Sequence, residues 1–439
     1  MSTIAEVRLW GRTIGAVSLA DGATVARFEY DAAFARSGIA VAPLTMPLAA
    51  GRVYAFPGLA RDTFHGLPGL LADCLPDKFG NALIDAWLAT RGRPAGSFNA
   101  VERLCYTGRR GMGALEFVPA TGPRAPAASP VEVGALAELA ARILSQRGEV
   151  RGLFGDDADK ESALRDILRV GTSAGGARAK AVIAWNRHTN EVRSGQVPAD
   201  PGFEHWLLKF DGVAANRDRE TLADPQGYGV IEYAYHRLAV AAGVTMSECR
   251  LFEENGRRHF MTRRFDRPPG GGKLHLQSLG ALAHYDFNLA GAYSYEQAMA
   301  VIRQLGLGLD AVEEQFRRLV FNVVARNQDD HVKNIAFLMD KAGRWSLAPA
   351  FDVIYSYQPD GRWTASHQMT VQGKRDGFTR ADLEACARTV GMKRGRADAI
   401  LEEVRSAVSR WREIATAAGV PESQREAIQQ TLRLDLPKS

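Results

Sequence analysis

The sequence predicts an α+β protein: a small β-rich N-terminal domain, a proline-rich joint, and a larger domain that begins with strands and ends mainly helical. Three observations carry this. "AEVRLWGRTIGAVSL" near the start alternates apolar and polar residues, the period of half-buried strands. "VPATGPRAPAASPVEV", residues 118 to 133, holds four prolines among alanines and cannot sustain regular structure. From about residue 295 the three-to-four spacing of amphipathic helices dominates, interrupted by one hairpin. A length of 439 residues leaves room for two or three domains.

Composition narrows the class. Apolar residues make up 46% and charged residues 24%, which is folded material rather than disorder. Runs such as "AVIAW" (181 to 185) are far shorter than the ~20 residues of a membrane helix. The start, "MSTIAEVRLWGR", lacks the apolar core of a signal peptide. A cytoplasmic protein without membrane contact is expected. Cys74, Cys105, Cys249 and Cys386 stand singly, so neither a zinc knot nor a disulfide framework is indicated. The net charge of +5 suits contact with phosphate or nucleic acid without identifying either.

Along the chain, the first strands turn at "WGRT", and "LPGLLADCLPDKFGNALIDAWLATRG" reads as helices broken by Pro76. The first domain is placed at 1–118, the Pro/Ala-rich linker at 119–133 and the second domain at 134–439. In that domain "ALAELAARIL" and "ESALRDILRV" have helical spacing. "GTSAGGARAKAVIAW" and "HWLLKFDG" are glycine-rich turn and strand pieces. "GVIEYAYHRLAVAAGV" is a helix stopped by glycine, and "RHFMTRRFDRP" a strand stopped by proline. "NIAFLMD", "KAGR" and "WSLAPAF" make strand, turn and strand.

The hairpin follows "ARNQDDHVKN" (325 to 334), too polar for a core element. Asp329 and Asn334 stand there as D-x-x-x-x-N, the spacing of a kinase catalytic loop, in which the Asp orients the substrate hydroxyl and the Asn ligates magnesium. Lys333 beside them can neutralise phosphate charge. The hairpin returns at Asp352, a second carboxylate for a metal–nucleotide site. The bland alternative is a solvated, Asx-rich turn that caps a helix.

Other positions complete the pattern. Lys209, on the apolar strand "HWLLKF", sits where a kinase lysine grips nucleotide phosphates, and Glu232 in the next helix is placed to pair with it. Glu232 as a plain solvated charge is the competing account. Phe265, in "RRFDRP", is positioned to pack on adenine. "GTSAGGARAK" lacks the usual kinase glycine pattern, yet Gly171, Gly175, Gly176 and Lys180 suit a phosphate cradle; a flexible turn is the simpler reading. "GTSAG" also matches a serine-hydrolase elbow, with Ser173 as nucleophile and Asp211 as its acid. The order of elements argues against that, because a helical pattern precedes the serine and a strand follows it.

These stretches together resemble the HipA family, kinase toxins of bacterial type II toxin–antitoxin pairs. "VRLWGRTIGAVSL" and "LLADCLPDKFGN" resemble its N-terminal domain. "GTSAGGARAKAVIAW", "HWLLKF", "RRFDR", "LQSLGALAHYDF", "FNVVARNQDDHVKNIAFLMD" and "LAPAFDVIYSY" resemble its kinase-like part. The resemblance implies a two-lobed protein-kinase-like fold, with an N-lobe at about 134–268 and a helical C-lobe at about 273–439. It implies ATP- and Mg2+-dependent phosphorylation of serine or threonine in a protein, in some members an aminoacyl-tRNA synthetase.

Carried across, Asp329 matches the catalytic aspartate, Asn334 and Asp352 the magnesium ligands, and Lys209 the nucleotide lysine. Gly175, Gly176, Ala177, Arg178, Ala179 and Lys180 match the ATP loop, Arg263, Phe265 and His331 join the nucleotide contacts, and Ser173 matches an autophosphorylated serine. Arg263 stands where the best-known member has glutamate, so adenine recognition differs. "LHLQSL" likewise replaces an acidic stretch, which points to a different protein substrate. A small helix-turn-helix antitoxin is the implied partner, and operator DNA is bound by the pair. Lys374, Arg375, Arg380, Lys393, Arg394 and Arg396 are candidates for phosphate contacts, with a solvated basic face as the alternative. The non-enzymatic rival is a degenerate kinase that only scaffolds the antitoxin on DNA.

Overall fold

The structure, a computed structural model, describes residues 2–123, 131–145, 178–196, 200–213 and 227–438. The helix expected at "ESALRDILRV", most of the glycine-rich loop and the centre of the Pro/Ala joint lie outside the described residues.

The N-terminal sheet has the order β4-β3-β2-β1-β5, from β1 (Thr3–Leu9), β2 (Arg12–Leu19), β3 (Arg27–Tyr30), β4 (Val53–Tyr54) and β5 (Leu115–Val118). Strands β1 and β2 close through Trp10 and Gly11, both at positive φ. That geometry belongs to the tight two-residue turn whose twist matches paired strands. Alternation in β1 buries Ala5, Val7 and Leu9. The helix Ala100–Thr107 packs on this sheet, while Lys78–Thr90 packs on the helix Val133–Ser145. Asp77 starts the helix Lys78–Thr90, its Oδ1 accepting the Gly80 N–H at 2.7 Å, with Pro76 just outside, where a missing donor costs nothing.

A second sheet has the order β7-β6-β8-β10-β9, all antiparallel. It comprises β6 (Lys180–Asn186), β7 (Val192–Ser194), β8 (Phe203–Lys209), β9 (Cys249–Glu254) and β10 (Arg257–Arg263). The helix Tyr228–Ala241 packs on β10 and β9. A third, small sheet joins β11 (His275–Ser278) to the hairpin β12 (Ala336–Met339) and β13 (Trp345–Leu347). The third strand was not legible in "LHLQSL"; its partner β12 is sixty residues further on. Helices Tyr295–Gln304, Leu309–Val324, Arg380–Thr389, Arg396–Ser409 and Trp411–Ala418 surround a core that contains Phe316, Phe321, Tyr235 and Trp411.

The chain from residue 295 is mainly helical as expected, apart from the hairpin and residues 348–379, which hold turns and isolated bridges only. Polar side chains take over there: Gln368, His367 and Thr370 are buried and bonded to backbone or to the Asp330 carboxylate.

The joint at 119–133 separates the chain but not the cores. Phe79, Leu83, Ile84 and Trp87 from the first domain form one apolar cluster with Leu136 and Ala140 of the helix Val133–Ser145 and with Ile183, Trp206 and Leu208 of the second sheet. A second weld involves Asp266, fully buried between Arg264 and Arg267, which accepts the Gly113 N–H at 2.6 Å.

Candidate active site

Lys209 ends β8 with its ammonium held by two carboxylates, Glu232 Oε1 and Asp352 Oδ1, each at 2.5 Å. Glu232 comes from the helix Tyr228–Ala241 and is 2% exposed. Asp352 comes from the segment after β13 and adopts positive φ (55°), a strained conformation for a residue with a side chain. Burial alone would strip the charge from Lys209, but Asp352 and then Glu232 overcome it and raise its pKa. Burial likewise opposes ionisation of Asp352, yet Lys209 and Lys180 hold its carboxyl well below the usual range. Both groups are therefore charged.

Lys180 lies directly opposite Lys209 in the β6–β8 register, on the same sheet face. Two cations placed so repel each other. Arg178 adds a third, its guanidinium 3.8 Å from Glu232 Oε2 and stacked over Tyr228. Against these stand three carboxylates, Glu232, Asp352 and Asp77, the last from the N-terminal domain, 3.7 Å from Lys180 Nζ.

Across the cleft, the helix Leu309–Val324 runs into the loop 325–334, where Arg326 turns the chain at positive φ and donates to the Thr431 carbonyl at 2.7 Å. The next two aspartates face opposite ways. Asp330 is buried and accepts from Tyr295 (2.7 Å) and the Gln368 N–H (2.7 Å), with His367 Nδ1 at 2.8 Å. Asp329 is 40% exposed. Its Oδ1 accepts the Trp363 indole N–H at 2.6 Å and lies 3.8 Å from His331 Nε2, while its carbonyl accepts Asn334 Nδ2 at 2.9 Å. Asn334, His331 and Asp352 line one cleft.

The remaining positions are more scattered. Arg263 pairs with Glu204 at 3.1 Å. Phe265 is half-buried against Phe351, in a small cluster with Ala336, Leu338 and Ala348. Ala179 is buried at the edge of the second sheet. Gly171, Ser173, Gly175, Gly176 and Ala177, on which the phosphate-cradle and hydrolase readings of that loop rest, lie outside the described residues. Of the six basic residues, Lys374 pairs with Asp382, Arg380 with Glu402 and Arg396 with Glu313. Arg375 donates to the His367 carbonyl, and Lys393 and Arg394 are exposed.

Sequence reasoning did not single out Asp77, Trp363 or the Asp330–His367–Tyr295 cluster. The adjacent aspartates of the loop face opposite ways here, and nothing in "DD" itself says which is buried. Nothing local marks Trp363.

As metal ligands, the Asp352 carboxylate and the Asn334 carboxamide oxygen are hard oxygen donors. Magnesium takes few protein ligands and fills its octahedron with phosphate and water, so this donor set fits it. Among the described residues no group of three or more His, Cys, Asp or Glu forms a metal cluster.

Residues 172–411 match the HipA-like C-terminal domain and residues 5–118 the HipA N-terminal domain. The chain belongs to the HipA family. It matches two Sinorhizobium fredii proteins, "Putative kinase Y4dM" (22% identical over 273 residues) and "Putative kinase Y4mE" (24% over 270). The matches cover 59% and 60% of this chain, and 64% and 58% of those proteins, so each relative is spanned over less than two thirds of its length. HipA of Shewanella oneidensis MR-1, solved with HipB and operator DNA, superposes with a TM-score of 0.66 at 18% identity over 97% of this chain and 94% of that one. The fold is that of HipA. Among the described residues no helix is long and apolar enough to cross a membrane.

Proposed function

We propose that this HipA-family chain is an ATP- and Mg2+-dependent protein serine/threonine kinase and the toxin of a type II toxin–antitoxin pair. The observation that carries the reading is Lys209 held between Glu232 and Asp352, with Asp352 and Asn334 lining one cleft and Asp329 part-exposed on the loop that carries Asn334. In this reading Lys209 and Lys180 grip nucleotide phosphates, and Asn334 and Asp352 hold the metal. The metal supplies charge neutralisation between the phosphates. Asp329 accepts the hydrogen of the substrate hydroxyl, and the Trp363 indole fixes which carboxylate oxygen is left to do so. Arg178, beside Glu232, and His331, beside Asp329, line the two ends of the path.

The HipB and operator DNA in the Shewanella complex support a small helix-turn-helix antitoxin as partner, with DNA bound through the pair. Lys393 and Arg394 are the exposed basic candidates for that surface with no carboxylate beside them among the ion pairs described. The family resemblance directs the search for a substrate to proteins of translation, an aminoacyl-tRNA synthetase first, and makes Ser173 the site of autophosphorylation. A cytoplasmic location fits all of these.

Incubation with Mg2+ and labelled ATP, with and without bacterial lysate, tests the reading. Label should enter a protein and, at Ser173, the chain itself; Mg2+–ATP should raise the unfolding temperature of the wild type but not of Asp352→Ala. Wild-type protein that neither binds Mg2+–ATP nor transfers phosphate would leave the scaffold reading.

A further inference from the structure

We propose that Asp77 is a positioning residue of the nucleotide site: it holds the Lys180 ammonium opposite Lys209 and so makes nucleotide binding in the second domain depend on docking of the first. This rests on the reading of the Lys209 cleft as a nucleotide site.

Asp77 looks at first like a helix cap and nothing more. A cap needs one oxygen, and Oδ1 supplies it to the Gly80 N–H. Oδ2 is buried, has no hydrogen-bond partner and faces Lys180 Nζ at 3.7 Å. The two side chains are 4% and 3% exposed, so this is no surface pair.

Charge balance explains why a carboxylate is needed there. Lys180 and Lys209 are register partners. A buried cation without a counter-charge costs several kcal/mol, more than a surface charge ever does. Lys209 has Glu232 and Asp352 in contact. Burial lowers the pKa of Lys180, and of the carboxylates that oppose this Asp77 acts most strongly, ahead of Asp352 and Glu232. Among the described residues, the three carboxylates that meet these lysines come from different parts of the molecule: the N-terminal domain, the helix Tyr228–Ala241, and the segment after β13.

The test uses the full chain and substitutions that separate capping from charge. Asparagine and serine cap helices as well as aspartate does, so Asp77→Asn and Asp77→Ser keep the helix start. Each is expected to weaken Mg2+–ATP binding, read by calorimetry, about tenfold, as for loss of one charge-assisted contact. The unfolding temperature should fall, because each substitution leaves the Lys180 ammonium buried without the Asp77 carboxylate. The alkaline limb of the phosphotransfer profile should shift to lower pH, because a Lys180 without its carboxylate gives up its proton more easily. The pair Asp77→Asn with Lys180→Met should bind no worse than Lys180→Met alone. Should the Asp77 variants fail to fold, Lys180→Met must weaken binding and Lys180→Arg must restore most of it.

Asp77→Asn binding as the wild type does, or effects that simply add, would overturn the proposal while leaving the kinase reading intact. Wild-type protein that does not bind Mg2+–ATP would instead overturn the kinase reading, and this inference with it.

Discussion

Asp329 keeps one oxygen engaged and leaves the rest of its carboxylate toward solvent. The Trp363 indole and the Asn334 carboxamide fix it from two sides, one on the side chain and one on the backbone. Replacing the carboxylate should leave nucleotide and metal binding in place while phosphotransfer drops on the order of 10²-fold or more in Asp329→Asn. Single-turnover assays at saturating ATP check this, and wild-type-like turnover would sink the assignment. Trp363→Phe keeps the ring and removes the N–H. A charge-assisted hydrogen bond is worth ~1.5–3 kcal/mol, so kcat should fall about tenfold or more with KM for ATP unchanged. A change confined to KM would place Trp363 in the nucleotide pocket instead. Asp329, Asn334 and Asp352 were visible as positions because one loop and one hairpin carry them within a short run. Trp363 was not, since its contact crosses a segment that has no periodic pattern to read.

At the scale of elements, the loop 325–334 depends on the irregular segment opposite it. Asp330 gathers Tyr295, His367 and the Gln368 N–H, and Gln368 Nε2 in turn holds the Trp363 carbonyl at 2.6 Å and the Gln328 carbonyl at 3.2 Å. Asp330 thus pins the loop from beneath while Asp329 works above. Asp330→Ala leaves three buried groups without their acceptor, and the expected loss of stability is ~3–5 kcal/mol. Urea denaturation should show a lower midpoint with an unchanged slope; a midpoint equal to wild type would mean the cluster is dispensable. The strands β1, β2, β6, β8 and β10 were legible because alternation or an apolar run marks each within seven or eight residues. Strand β11 and the unpatterned stretch 348–379 were not, because their structure comes from partners distant in sequence.

For the whole molecule, the buried titratable groups set a pH profile. His205, His259, His275 and His284 are pushed down to about 4, chiefly by burial. The unfolded chain binds protons at these groups from its ordinary histidine pKa of ~6.5, while the folded chain refuses them, so stability falls as pH drops from there. Asp266, Asp330 and Asp352 are depressed below the usual range, despite burial, by Arg264, His367 and Lys209 respectively. Their contribution is complete above the unfolded carboxylate pKa of ~3.9 and is lost as pH falls through the folded values. Asp77 runs the other way: burial raises its pKa, so ionising it above the unfolded value costs stability. Urea midpoints measured from pH 8 to 3 should therefore decline from ~6.5 downward as the unfolded chain takes up protons at these histidines, and go on declining below ~4 as the carboxylates are lost. A flat profile down to pH 4 would show that these histidines are protonated in the folded state.

The apolar cluster shared by Phe79, Trp87, Ile183 and Trp206 has a consequence for biosynthesis. The ribosome releases the first domain before the strands that cover Phe79, Leu83 and Trp87 exist. Until residue 208 or so has emerged, that face meets water or a chaperone, and Asp73, which later binds Ser278, has no partner from β11. The first domain is thus a nascent chain waiting for its second half. Residues 1–118 expressed alone should aggregate, and co-expression of 119–439 should return them to the soluble fraction, as sedimentation of the lysate would show. A freely soluble, cooperatively folding fragment 1–118 would mean that the shared core is docked late and weakly, and that the newborn domain can afford to wait.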